Sequence, residues 1–532
     1  MAQHKERLIK AGDYNLDVAE ILSYKIAGGV PGGQTPFRID IQNIIISLEL
    51  QQSIFNRSMI GKLTVYDTKD VRTVVPIVGL ERLNLKFQTP GLTGINAVAN
   101  DGHPFHIYKI ESVQPDRSGS VGGQTYDIYF CSRESYFNTF RKVSKAYSGQ
   151  VAVGVNDIFK NTRYLNSRKD LYVEPTKHYN KMVMPNVRPF EAIDMLARKA
   201  VSGKYENAGY LFYETKEGYQ FRSIESLLAV GGAVARPAKW SYNFGMKGVR
   251  HHTGGKEIVK DLHGVESWNL TKPVDVLANL NEGAYANKLI EHDMFHKTIT
   301  TSEYDYEKDF GNHFHTEHDL GTKSNRNTSL PKVKFDNLNW GVNNEYDQKV
   351  MLRSSTSYIH EMKKVAGNSV LADAVSNVME GTGTAVPIPS ISGKHTIQKA
   401  ISQRLLLQNG VLEIQAPGNS QLQAGDIIMF DMPLMESSGH NKKFKSNPYW
   451  GGRYLIYDMK HIIDKTEDRY VVHIRAVKDN PAFPYASEPN SWTHVAPPSS
   501  VHNIYNLDNE LLSRMDTTSQ GLTTEQHKAF RY

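Results

Sequence analysis

The sequence predicts a mainly β protein with α+β insertions. Three observations carry that expectation. Apolar and polar residues alternate with period two in the N-terminal third, and four or five short alternating segments recur near the C-terminus. The third is 28 Tyr against 5 Trp, with aromatics at 10%, a balance that suits half-buried strands and wet interfaces. The 532 residues are enough for three or four domains at ~150 residues each. Apolar residues at 39% and charged residues at 22% are ordinary for a folded protein. One cysteine, Cys131, excludes an intrachain disulfide framework and any site built from several thiolates. No run of about 18 apolar residues occurs, so no membrane span is expected. The opening MAQHKERLIKAGDYNLD lacks an apolar core segment, so no export signal is expected either. Sixty-two basic against 56 acidic residues give +6, without the block of like charges that marks a nucleic-acid patch.

Met59–Tyr66 alternates Met59, Gly61, Leu63 and Val65 against Ile60, Lys62, Thr64 and Tyr66. Arg82–Phe87 sets Leu83, Leu85 and Phe87 against Arg82, Asn84 and Lys86. A period of two puts these sets on opposite faces of a sheet, one buried and one wet. Phe105–Val113 and Thr125–Cys131 flank DRSGSVGGQ and read as a hairpin with a long loop. The period then changes. Pro189, Ile193, Leu196, Ala197 and Ala200 follow helical spacing with proline in the first turn, so Pro189–Val201 reads as an amphipathic helix. Glu134–Ala146 and Val155–Arg163 read as weaker helices. Tyr210–Thr215 and Tyr219–Ile224, joined through Lys216-Glu217-Gly218, form a second hairpin.

Trp240–Phe310 mixes strands with one or two short helices. Residues 311–345 are polar and turn-rich, an exposed insertion, and 365–395 reads as a linker or arm. Leu412, Ile414 and Ala416 then alternate with Val411, Glu413 and Gln415. A turn at Pro417-Gly418-Asn419 leads to Leu422 and to Ile427–Phe430, and Arg453–Ile463 and Tyr470–Val477 follow as strands. Short strands with tight turns favour a small closed barrel, because closure removes the edges. The Pro-rich tail after 480 reads as extended, with a short helix near Leu511. No period of 20–50 residues repeats.

The chemistry-bearing motifs fail one by one. His360-Glu361-Met362-Lys363-Lys364 has lysine where a zinc protease needs its second histidine. His313, His315 and His318 offer three imidazoles, and alternation would put His313 and His315 on one face of a strand. The preferred reading is a solvated, His-bearing loop, since no fourth ligand or supporting partner can be named. Asp116-Arg117-Ser118-Gly119-Ser120 is no nucleophile elbow. Cys131 ends a strand pattern and reads as a small buried hydrophobe rather than a nucleophile. Gly28-Gly29-Val30-Pro31-Gly32-Gly33-Gln34 lacks the lysine of a phosphate loop and reads as a flexible connection. His440-Asn441-Lys442-Lys443-Phe444-Lys445 reads as a solvated loop, and the aromatics of Tyr126–Phe140 as core. The 56 acids contain no readable glycosidase pair. No catalytic, cofactor-binding or metal residue is assigned, and no cofactor is expected.

Three segments, taken in order, resemble the baseplate hub proteins of contractile-tailed phages. The first is SLELQQSIFNRSMIGKLTVYDTKDVRTVVPIVGLERLNLKFQTPG, within Asn43–Gly91. The second is the RPFEAIDMLA helix with the YLFYETKEGYQFRS hairpin, in Arg188–Ser223. The third is PGNSQLQAGDII, GGRYLIYDMKHIID and YVVHIRAVKD, in Ala416–Asp479. The resemblance covers about residues 40–480. It implies two tail-tube-like antiparallel β-barrel domains per chain plus smaller domains, assembling as a homotrimeric ring. Such a ring adapts the sixfold tail tube to the threefold central spike and lets DNA pass with transient, nonspecific contact. The implied partners are tail tube or tube-initiator proteins on one side, the trimeric spike on the other, and wedge proteins of the baseplate. The implied place is the virion tail, after synthesis in the host cytoplasm, and the implied role is not enzymatic. Two alternatives are a tail-associated cell-wall hydrolase and the hub of a phage-derived cellular injection system.

The expected domains are 1–130, the first tube-like barrel completed by later strands; 131–235, mixed α/β; and 236–310, strands returning to the barrels. After these come 311–396, a polar insertion and linker; 397–480, a small β-barrel; and 481–532, a Pro-rich arm. The insertion and the arm exceed the shorter members of the family and read equally as contacts to other baseplate proteins or as passive loops.

Overall fold

Alternation in the N-terminal third resolves into β1 (Asn15–Ser23), β2 (Phe37–Asp40), β3 (Ile45–Ser53), β4 (Ile60–Asp67), β5 (Arg82–Gln88), β6 (Ile95–Ala97), β7 (Phe105–Asp116) and β8 (Gly123–Cys131), with the single turn α1 (Val71–Val74) after β4. The structure, a computed structural model, describes residues 8–23, 37–74, 77–79, 81–98, 103–116, 122–177, 180–205, 207–230, 234–243, 261–272, 275–293, 297–309, 313–316, 349–354, 397–408, 410–432 and 450–479. Leu63, Val65, Leu83, Leu85 and Phe87 are fully buried, as their period requires. Asn84, expected on the wet face, is buried too, with its amide donating to Glu20 of the neighbouring β1 at 3.2 Å.

These strands run β2-β1-β5-β7-β8-β4-β3, with β6 on the side of β5, and every pairing is antiparallel. β2 and β3 belong to one stretch of chain, broken only by a 3-10 turn at Gln42–Ile44. One end of that stretch pairs with β1 (Glu20 opposite Asp40) and the other with β4 (Leu48 opposite Leu63). The bend is held on β1 by Ile41 N–H donating to Ala19 C=O at 2.9 Å and by the Gln42 amide donating to Asp17 C=O at 2.7 Å. A buried cluster of Leu48, Leu50, Leu63, Leu85, Phe105, Ile128 and Phe130 fills this sheet.

The next unit holds α2 (Arg133–Phe140), β9 (Val143–Gly149), α3 (Val151–Lys160), β10 (Leu171–Val173), β11 (Thr176–Lys177), β12 (Asn180–Val187), α4 (Pro189–Ala197), β13 (Val201–Ser202), β14 (Tyr210–Thr215), β15 (Gly218–Ser223), α5 (Ile224–Leu228), β16 (Ala229–Val230) and β17 (Val234–Ala235). The helix expected over Glu134–Ala146 stops at Phe140, and Val143–Gly149 is a strand instead. Its partner is β12, some 35 residues on, and Asp157 binds the Lys145 ammonium at 2.8 Å and the Tyr147 hydroxyl at 2.9 Å. That non-local ladder outweighs the weak local helix preference. The helix expected over Val155–Arg163 begins earlier, at Val151, and α4 ends at Ala197 rather than Val201. Proline at the first position of α4 removes an N–H that would find no acceptor within the helix, Phe190 N–H donates to Asn138 Oδ1 at 2.8 Å, and Glu191 accepts from Arg188 N–H at 3.1 Å. Val155, Ile158, Phe159, Ile193 and Leu196 pack these helices onto Phe212, Tyr219 and Phe221 of the β14–β15 hairpin. Gly218 turns that hairpin at φ +124, where a Cβ would sit 2.5 Å from Asp170 O.

The C-terminal part begins with β18 (Trp240–Asn243), β19 (Ser267–Lys272), α6 (Val276–Asn281), β20 (Ala286–Asp293), β21 (Thr298–Asp305), α7 (Tyr306–Asp309) and β22 (Val350–Ser354). It closes with α8 (Lys399–Leu407), β23 (Gly410–Pro417), β24 (Ile427–Asp431), β25 (Gly452–Asp464) and β26 (Arg469–Lys478). Six of these strands run β18-β24-β25-β26-β23-β19, with only β18–β24 parallel. Leu412, Ile414, Ala416, Ile428, Phe430, Tyr454, Ile474 and Ala476 form their buried core. At the two ends of this order, Asn243 N–H donates to His263 C=O at 2.9 Å and Val265 N–H to Asn243 C=O at 3.2 Å, just before β19. β20, β21 and β22 make a separate small sheet, against which α8 packs through Tyr285, Tyr304 and Leu406.

β25 joins the two larger sheets. One of its sides carries β26 from Leu455 to Asp464. The other carries β24 at Leu455 and then β3, from Asp458 opposite Ser53 to Asp464 opposite Ser47. The result is one 14-stranded sheet with two cores. A loop after β23 adds a second bond between the halves: Thr89 N–H donates to Ser420 Oγ at 2.9 Å and Thr89 Oγ1 to Gly418 C=O at 3.2 Å.

The Gly28–Gln34, Arg117–Ser120, His360–Lys364 and His440–Lys445 motifs, the 365–395 stretch and the tail with Leu511 lie outside the described residues. Gly418 generates a test of the packing at this junction. A Cβ there would fall 1.9 Å from Tyr470 Cδ1, inside a fully buried ring. Gly418→Ala is expected to lower stability by about 1–3 kcal/mol, read as a shift in the urea midpoint. An unchanged midpoint would contradict the packing.

Candidate functional site

Cys131 closes β8 as a buried thiol, pushed up to about 12 by burial and, next, by the charge of Glu214. It stays protonated at neutral pH and packs as a small apolar side chain, as read from the sequence. The Tyr126–Phe140 aromatics divide: Tyr126 and Phe130 are core, Tyr136 stacks on His106 at 5.2 Å, and Phe140 is 55% exposed. Among the described residues, no group of three or more His, Cys, Asp or Glu side chains is placed to hold a metal ion. No helix among them is long and apolar enough to cross a membrane.

His313 and His315 overturn the expectation of a solvated loop. Both are buried, within the short piece His313–Thr316 that is wedged between α5, α8 and the end of β26. His313 Nδ1 lies 2.8 Å from Glu225 Oε1, and its Nε2 lies 3.3 Å from Asp309 Oδ2. Asn207 and Gln403 donate to the same Glu225 oxygen. Burial pushes the imidazole down, but the two carboxylates more than reverse it, so His313 is held above the ordinary histidine value. His315 Nδ1 sits 2.7 Å from Asp479 Oδ2, while Thr316 N–H and Oγ1 donate to Oδ1 at 2.9 and 2.6 Å. Burial raises the Asp479 carboxyl, and His315 with Thr316 brings it below the carboxylate range. Polar composition misled the reading here, because each polar group meets a buried partner far away in sequence. His318 lies outside the described residues.

Further buried charges join the units. Lys169 lies 3.2 Å from Glu134 Oε2 and 2.5 Å from Glu214 Oε1, and both carboxylates are fully buried. The other oxygen of Glu214 accepts Met59 N–H at 2.8 Å, so a side chain of β14 holds the backbone just before β4. Ser167 donates to Glu134 at 2.6 Å. Burial raises the Glu134 carboxyl, and Lys169 and Ser167 pull it below its ordinary value. Asp426 takes Lys239 at 2.9 Å and Arg236 at 3.4 Å, tying the run into β18 to the turn before β24. Composition and motif reading missed all of these acids. The available signal was a carboxylate inside an apolar run, as in YLFYET and SIESLLAV. A cleft of about 660 Å³ also opens where the loop after β3, the end of α4 and α8 meet.

The described geometry is one of buried charged joints between units. No protein-family model matches the chain. A probable baseplate hub protein of Vibrio phage KVP40 is 19% identical over 438 residues, covering 80% of this chain and 88% of the relative. Among solved structures, a tail protein from Neisseria meningitidis MC58 superposes at TM-score 0.44 and 8% identity, over 88% of this chain and 97% of that one. A type VI secretion system component of E. coli, described as similar to T4 bacteriophage tail proteins, gives TM-score 0.34 at 9% identity, over 84% of this chain and 76% of that one. The resemblance read from three sequence segments therefore agrees with a similarity spanning most of the chain.

The Lys169 joint yields a test in two parts. Lys169→Met leaves Glu134 and Glu214 buried without their cation and is expected to cost about 3–5 kcal/mol at pH 7. Glu134 and Asp479 have folded values below the unfolded ~4. Their contribution is therefore present above that value and lost as pH falls through the folded one. Denaturant midpoints should fall below pH ~4 for the parent chain, and the gap to Lys169→Met should narrow there as Glu134 takes up a proton. A gap independent of pH would refute the ion-pair account.

Proposed function

We propose that this chain is the structural baseplate hub of a phage contractile tail, a homotrimeric ring adapting the sixfold tail tube to a threefold central spike. The observation that carries this reading is the pair of sheets sharing β25, each with its own core and each with its ends drawn together. In the first, one stretch of chain borders both β1 and β4; in the second, Asn243 bonds to the approach to β19. Rolled into barrels, the two sheets present two tube-like units per chain. Three chains then present six, matching a sixfold layer while keeping threefold symmetry for a spike. The second barrel takes β18 and β19 from 236–310 and its remaining strands from 397–480. The similarity to a baseplate hub protein over 80% of the chain supports the same role.

An adaptor needs fixed relative geometry and no reaction, which suits the buried joints. On this reading one side of the ring meets tail tube or tube-initiator proteins and the other receives the spike. DNA passes through the lumen with transient contact, since tight phosphate binding would retard passage. On this reading the segments 317–348, 355–396 and 481–532 contact wedge proteins, and the assembled protein resides in the virion tail.

Light scattering after size exclusion tests this. A ring of three 60.0 kDa chains has a mass of about 180 kDa alone, and adding the trimeric spike protein gives a heavier species that contains it. A chain that stays monomeric with the spike present would overturn the adaptor role. Clearing of cell-wall substrate in a zymogram would overturn the non-enzymatic reading.

A further inference from the structure

The cleft beside α4 and α8 is walled by three separate units: the loop after β3, the end of α4, and β22 with α8. Its volume of about 660 Å³ lies in the ~300–1,000 Å³ range of ligand-binding clefts. The floor is apolar, with Phe55, Leu211, Ile224 and Ile401. The rim is cationic, with Arg57, Arg198, Lys199, Arg353 and Arg404 against one lining carboxylate, Asp194. Asp194 is already bound by Arg57, and Arg353 lies 3.7 Å from Glu291. Arg198, Lys199 and Arg404 have no carboxylate partner among the described residues. Lys199 is pushed below the ordinary lysine value by burial and then by repulsion from Arg353. Asp194 and Glu291 offset only part of this crowding, and an anion in the cleft would relieve the rest.

We propose that this cleft docks an acidic, amphipathic polypeptide segment of a partner protein, its carboxylates on the rim and its apolar side chains on the floor. An apolar centre inside a charged rim is the anatomy of a protein interface. A phosphate backbone would neutralise the rim and leave the floor wet. A second copy of this chain, at +6 net charge, does not complement the cleft. The chain's own 355–396, which joins β22 to Ile397 beside the cleft, carries Glu361, Asp373 and Glu380 against Lys363, Lys364 and Lys394, so it brings no net charge. The site does not depend on the hub reading. An occupant would touch all three units at once and lock their relative placement.

The test uses the full chain and a fluorescein-labelled helical peptide of about 14 residues, with glutamates on one face and leucines on the other, followed by anisotropy. Saturable binding is expected, weakening about tenfold or more in Lys199→Glu/Arg404→Glu and again on raising salt. The Arg198→Ala/Arg404→Ala variant gives the same reading if the charge reversal disturbs folding, which thermal unfolding checks. A peptide with glutamine in place of glutamate should not bind. Absence of binding, or binding indifferent to both double variants, overturns the proposal. Tighter binding of a single-stranded DNA of equal length, lost in the same variants, overturns it in favour of nucleic acid. Peptide binding that appears only after Asp373→Asn/Glu380→Gln overturns it in favour of the chain's own segment.

Discussion

The pairing of β3 with β25 is the constraint on which the rest of the molecule depends. It joins residues 407 apart in sequence, as in the bond from the Gln51 amide to Asp458 at 2.9 Å. Loop-closure entropy rises only logarithmically, by about 0.6 kcal/mol per doubling of length, so this separation is thermodynamically tolerable. What it secures is register. A slip of one residue would turn Leu48 and Ile463 out of the core that they fill together. Because β25 is bonded on both sides, its placement sets the second sheet relative to the first, and the α/β unit then docks onto that frame.

Docking relies on buried charge rather than on apolar area alone. Glu214 receives Lys169 and the Met59 amide, Glu225 receives His313, Asn207 and Gln403, and Asp479 receives His315 and Thr316. Buried ion pairs add little net stability over a well-packed apolar replacement, since desolvation offsets most of their attraction. They do penalise every arrangement in which a partner is missing. In a chain of several units, whose apolar side chains also meet in a shared buried cluster, such joints select one relative orientation.

Local pattern was readable where one face of an element meets one core. Leu83, Leu85 and Phe87 lie where alternation puts them, and Pro189 with Ile193 and Leu196 marks α4 to within its last turn. Reading failed where a distant partner decides. Val143–Gly149 is drawn into a strand by β12, Asn84 is covered by β1, and His313 is buried by α5 and α8. The candidate site was less legible than the fold. Its cations lie on four well-separated stretches of chain, and its acids are dispersed singly among apolar residues.

The sequence by itself determined many of the strands and most of α4, the mainly β class, the absence of a readable catalytic motif and the resemblance to baseplate hubs. Each of these rests on short-range periodicity or on ordered segments that survive without coordinates. Only the tertiary structure decided that β18 and β19 complete a sheet with strands well over a hundred residues later, and that β25 serves two sheets. It also decided that polar histidines are interior and that scattered arginines share a cleft. The reason is physical: a strand's period states which face is buried but leaves its backbone donors and acceptors open to any partner. Which partner satisfies them is settled by the packing of the whole chain.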